Sequence, residues 1–172
     1  MLNTRFDYTM KTLTFRGRIG TGVGRHVELG IPGRTEFDVA PGDWPENLQP
    51  GSLNVRIDDN EYPPELLAHK PFNGVPTLDS GLFQPAFVIP QDRMTNNKLT
   101  PLPDMPQRGS AQVWRATLVV GHLSAPYSAW VLRRFGSRVG PQLELVSDVH
   151  LRDTLSLKDG MEATVALEYG ED

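Results

Sequence analysis

Apolar and polar positions alternate along this chain in short bursts separated by turns. The clearest burst follows the Pro50-Gly51 turn. Leu53, Val55 and Ile57 fall on one face, and Ser52, Asn54 and Arg56 on the other. A period of two predicts a half-buried strand. The same reading predicts strands over residues 12–19, 27–31, 111–120, 129–133, 143–146 and 161–169, and a strand over 82–90 broken at Pro85. Helical spacing is confined to residues 149–155, where Leu151 and Leu155 stand at i, i+4, and to one turn at 64–69. Residues 1–11 read as a loose leader. Residues 37–48, with Pro41-Gly42-Asp43-Trp44-Pro45, read as a loop or short helical turn. The middle, 58–128, is proline-rich, and 91–110 within it lacks any period and reads as a long surface loop. Many short strands, one short helix and no strand–helix–strand alternation predict a single all-β domain over 1–172, closed into a barrel.

Composition narrows the chemistry. Seventeen Lys and Arg stand against 21 Asp and Glu, which disfavours a nucleic-acid partner. Lysine occurs only at Lys11, Lys70, Lys98 and Lys158. Positive charge is therefore mostly guanidinium, the group that contacts phosphate or carboxylate in a bidentate way. With no cysteine, disulfides and thiolate metal sites are excluded. No apolar run has membrane-spanning length and no signal-peptide pattern opens the chain, so the expectation is a cytoplasmic protein without a membrane partner.

Candidate chemistry is sparse. Ser52 and Asn54 offer hard oxygen donors of the kind Mg²⁺ takes, and Arg56 suits a phosphate; a plain solvated strand face has the same pattern. Gly20-Thr21-Gly22-Val23-Gly24-Arg25-His26 places glycines at alternate positions. Such a loop serves either as a nest of backbone N–H groups for an anion or as a hairpin needing unusual φ. It lacks the Gly-Lys-Ser/Thr ending of a P-loop and no helix follows. Arg133, Arg134 and Arg138 form a basic loop, either a solvated turn or a lip for an anionic or planar ligand. Glu144 is either a ligand-recognising carboxylate or the solvent position of its strand. Asp58-Asp59 reads as a turn or a second metal site. His26, His69, His122 and His150 show no metal-ligand spacing.

Three segments in order resemble the CTP-dependent riboflavin kinases known mainly from archaea. Residues 17–24 are similar to that family's Gly-x-Val-x-Ser-Gly-x-Gly opening. Residues 50–56 resemble its Pro-Gly-Thr-Leu-Asn-x-(Arg/Lys) motif, with Arg56 at the basic position. Residues 143–146, 151–153 and 157–160 resemble its ending, a glutamate strand followed by Leu-Arg-Glu and Leu-x-Asp-Gly. The likeness covers roughly 14–57 and 129–168. It implies a six-stranded cradle-loop (RIFT-like) barrel, with one short helix and a long loop insertion, that transfers phosphate from CTP to riboflavin, giving CDP and FMN. Carried over by position, Ser52 and Asn54 would hold Mg²⁺. Gly22, Val23, Gly24, Arg25 and His26 would wrap the nucleotide phosphates, and Val149, His150, Leu151 and Arg152 would contact the nucleotide. Glu144 and Gly136 would meet the flavin. The chain departs from the family at Arg25-His26, where the family has Glu-Gly, at Gly136, where it has threonine, and at Ser147-Asp148, where it has Ala-Pro. The resemblance leaves two alternatives: a catalytically diverged barrel that binds a nucleotide or small ligand, and a kinase for another acceptor alcohol.

Overall fold

The computed structural model describes residues 9–20, 30–49, 51–94, 109–137 and 140–171. Its strands are β1 (Thr9–Ile19), β2 (Leu53–Ile57), β3 (Phe87–Ile89), β4 (Ala111–Val120), β5 (Tyr127–Arg134), β6 (Gln142–Val146) and β7 (Glu162–Glu171). All pairings are antiparallel. The order β4-β5-β6-β2-β1-β7 closes through a β4–β7 pairing, giving a six-stranded barrel with β3 as an extra strand on β4. Among the described residues, helix is limited to α1 (Pro64–Leu67), α2 (Leu151–Thr154) and three short 3-10 turns. The helical content is thus two single turns, both inside segments expected to be helical.

The alternation dictates the barrel. Leu13, Phe15 and Ile19 of β1, Leu53, Val55 and Ile57 of β2, and Val165, Leu167 and Tyr169 of β7 point inward and are buried with Trp114, Leu118, Val131, Leu143 and Leu145. Gly17 also faces in. A Cβ there would lie 1.9 Å from the Arg56 carbonyl oxygen, so a side chain is incompatible with the close crossing of β1 and β2. β1 begins at Thr9, inside the expected leader, because Thr9, Met10 and Lys11 pair with Glu171, Gly170 and Tyr169 of β7.

A second apolar cluster lies outside the barrel. Val113, Trp130, Leu132 and Val146 project from the outer faces of β4, β5 and β6 and are covered by Phe37, Trp44, Phe87, Ile89 and Met94. Trp44 meets Trp130 and Phe87 edge-on at 5.0 and 4.9 Å between centroids. Its indole N–H donates to the Pro32 carbonyl at 2.9 Å, as a buried Trp requires. The segment 30–48 is therefore a docked flap rather than a connecting loop. Arg115 fastens it through two 2.7 Å bonds to Asp43 while lying over the Trp130 ring. Covering the outer face explains why Ala111, Gln112, Val113 and Trp114 are all buried, against the alternation expected of a strand with one solvated face.

Three expectations differ. Residues 30–31 are not strand, and 27–29 lie outside the described residues. The strand expected over 82–90 is reduced to β3; Pro85 limits it, and Gln84 forms an isolated bridge to Gly170 instead. The loop expected over 91–110 starts as a 3-10 turn with Met94 buried, and 95–108 lie outside the described residues.

Candidate functional site

Asn54 is the hub. On β2 it faces outward, half-buried, directly opposite Glu144 of β6. Its backbone carbonyl accepts the Gly20 N–H at 2.8 Å, and a Cβ on Gly20 would stand 3.6 Å from the Asn54 Cβ. Ser52 sits two residues earlier on the same face, and its hydroxyl donates to Asn54 Oδ1 at 3.4 Å. The turn before β2 puts Ser52 at the rim, and the alternation does the rest.

From the other side, Arg152 of α2 reaches back to the same point. One of its guanidinium nitrogens donates to the Gly20 carbonyl at 2.9 Å and another to Asp159 at 2.6 Å. The N–H of Gly160 donates to the Ile19 carbonyl and that of Ile19 to the Met161 carbonyl, both at 2.8 Å. The entry to the glycine loop is therefore held by β2, α2 and the turn before β7. The loop's candidate residues Gly22, Val23, Gly24, Arg25 and His26 lie outside the described residues.

The other nucleotide candidates divide by exposure. Leu151 is buried in the barrel core, so only its main chain is available to a ligand. His150 is exposed and caps α2, its Nδ1 accepting the Asp153 N–H at 3.3 Å. Val149 is half-buried, its N–H donating to Ser147 Oγ at 3.3 Å. Ser147 and Asp148 thus form the turn that leads into α2 where the resembled family has Ala-Pro.

Glu144 is half-buried on the outer face, between Asn54 and Leu132. The space beside it, lined by Val75, Ser137 and Gln142 among others, holds about 10 Å³, roughly one water. Gly136 lies in the turn after β5 at φ 77°, a conformation that favours glycine and offers no side chain to a ligand. A groove of about 780 Å³ lies instead at the opposite end of β1, between Lys11, His69, Phe83 and Tyr169.

One arginine of the basic loop is taken up inside the protein. Arg133 is buried and forms a bidentate pair with Asp79 at 2.9 and 3.1 Å, with Gln112 donating to the same carboxylate at 2.7 Å. Arg134 donates to the Gly109 carbonyl at 3.1 Å. Arg138 lies outside the described residues. Asp58 belongs to a turn, its carbonyl accepting the Glu61 N–H at 2.9 Å. His122 sits 2.7 Å from the Leu155 carbonyl through Nε2, which must carry the proton there, and His69 packs edge-on against Phe83. Among the described residues no three His, Asp or Glu side chains gather as a metal cluster.

Ser52 and Asn54 therefore supply two neutral oxygens. A Mg²⁺ ion at about 2.1 Å from each, in octahedral geometry, needs adjacent donors about 3 Å apart, and the 3.4 Å separation is close to that. That spacing is compatible with the two oxygens serving as two donors to one Mg²⁺, the other positions being left to further ligands.

Sequence reasoning missed the latch made by Asp159, Arg152 and Gly20, the Asp79 partner of Arg133, and the role of Trp44. Each depends on residues far apart in the chain. The signal for the first was present in the glycine pair of the β1 end and in Arg152 close to Asp159. No family model matches this chain, and no curated protein matches it. No helix among the described residues is long and apolar enough to cross a membrane.

Proposed function

We propose that this barrel transfers the terminal phosphate of CTP to riboflavin, yielding FMN and CDP, in the presence of Mg²⁺. The observation that supports this reading is the convergence on Asn54. The three segments that resemble the riboflavin kinase motifs are distant in sequence, yet Gly20, Asn54, Glu144 and Arg152 are joined by register and hydrogen bonds. Phosphoryl transfer needs positioning and charge neutralisation more than covalent chemistry. Ser52 and Asn54 would hold Mg²⁺, which when bound neutralises phosphate charge. The entry of the glycine loop is fixed at Gly20, and Val149 and Leu151 would offer main-chain groups to the nucleotide. Glu144, across from Asn54 on β6, would meet the flavin.

Incubation of the protein with riboflavin, Mg²⁺ and either CTP or ATP, resolved by chromatography, tests the reading. FMN formed with CTP supports it. Absence of FMN with both nucleotides contradicts it.

A second reading is favoured by one observation: Gly136, where the resembled family has threonine, brings no side chain to a ligand. In that reading the chain is a diverged barrel that binds a nucleotide or small ligand without turnover. It predicts Mg²⁺-dependent CDP binding without any product. A kinase for another acceptor alcohol loses one recognition group, since Arg133 is committed to Asp79; an acceptor screen with CTP tests what remains.

A further inference from the structure

One row along the sheet from Asn54, two arginines face each other. Arg56 of β2 is directly opposite Arg18 of β1, with Gln142 of β6 on its other side. Both arginines are exposed on the outer face. Directly opposed residues of antiparallel strands share a face, and like charges placed so are destabilising.

The surroundings relieve that repulsion only in part, and on the Arg18 side. Arg18 turns toward β7, to Glu162 at 3.4 Å and the Gly160 carbonyl at 3.2 Å. That ion pair is exposed on both sides and contributes little. Glu144 stands in the next row, opposite Asn54, and Asp58 follows Arg56 by two residues, its N–H donating to the Arg16 carbonyl at 3.4 Å. None of these carboxylates lies within ion-pair distance of Arg56, whose guanidinium has no hydrogen-bond or ion-pair partner among the described residues.

We propose that Arg56, with Arg18 beside it, is a binding site for a phosphate or pyrophosphate group. An anion placed between two guanidiniums turns their repulsion into two attractions, and arginine's planar fork matches phosphate oxygens two at a time. Two residues of strand separate Arg56 from Asn54 by about 7 Å, a span that an arginine side chain covers. A phosphate held by Arg56 thus lies next to the Ser52 and Asn54 oxygens. The inference rests on the register of β1, β2 and β6 and stands independently of the kinase reading.

The test is a titration of the full chain with inorganic pyrophosphate, without Mg²⁺, read by calorimetry and thermal melting. Chloride controls of equal ionic strength remove general screening. The wild type should bind pyrophosphate and melt higher than in matched chloride. Arg56→Gln should bind about tenfold more weakly or worse, the loss of one charge-assisted contact, and in chloride should melt no lower than the wild type. Arg16→Gln, which removes an exposed charge one row further away, should bind as the wild type does. No binding by the wild type, or equal losses in Arg56→Gln and Arg16→Gln, would overturn the site. FMN formation judges the kinase reading separately: Arg56-dependent pyrophosphate binding without FMN would leave this site standing and remove that activity.

Discussion

Asn54 and Asp79 show how differently two polar residues serve this fold. Asn54 is half-buried and among the described residues its side chain makes one long hydrogen bond, from Ser52 at 3.4 Å. The structural role at this position is carried by its backbone carbonyl, which any residue supplies. Asn54→Ala should therefore change stability by less than about 1 kcal/mol, while abolishing Mg²⁺-dependent CDP binding by calorimetry; retained binding would remove the metal assignment. Asp79 is the opposite case. It is the carboxylate partner of buried Arg133 and also accepts from Gln112. Asp79→Ala leaves a buried guanidinium without its counter-charge and should cost about 3–5 kcal/mol in urea unfolding. The Ser52, Asn54 and Glu144 face was legible in the sequence because a strand's period of two assigns faces locally. The Asp79–Arg133 pair was not, because 54 residues separate its members and nothing local distinguishes a buried arginine from a solvated one.

The flap over residues 30–48 is the element that local pattern misread. Its prolines and glycines suggest a connector, yet it contributes Phe37 and Trp44 to a core outside the barrel. The alternation along β4 and β5 contained a trace of this: Trp130 and Leu132 are apolar on the face that should meet solvent, and an apolar outer face needs a cover. Asp43 and Arg115 fasten that cover. Hydrogen bonding from Arg115, opposed by partial burial, holds the Asp43 carboxyl below its ordinary range. A lowered pKa contributes stability above the unfolded value, about 3.9, and that stability is lost as pH falls through the folded value. Both side chains are more than a third exposed, so the contribution is small. Asp43→Asn should differ from the wild type by less than about 1 kcal/mol at pH 7. The difference should shrink below about pH 4, read by urea midpoints from tryptophan emission. Parallel pH curves for the two proteins would place the flap's attachment elsewhere.

At the scale of the molecule, the barrel was legible because the inward faces of β1, β2 and β7 are largely apolar residues in alternation. Closure itself was not, since the β4–β7 pairing joins Val120 to Ala163 and Ala116 to Leu167 without any local mark. The β1–β2 and β2–β6 pairings and the Arg152 bond to Gly20 bring the end of β1, the outer face of β2 and α2 to one place. On that convergence rests the view that the chain is a phosphotransferase whose Ser52 and Asn54 hold the metal. The most direct test compares FMN formation from riboflavin, CTP and Mg²⁺ by the wild type and by Asn54→Ala at equal protein concentration. The account predicts FMN from the wild type and at least a hundredfold less from the variant, about 2.7 kcal/mol of lost transition-state stabilisation. Equal turnover by the two proteins, or none by the wild type, would contradict it.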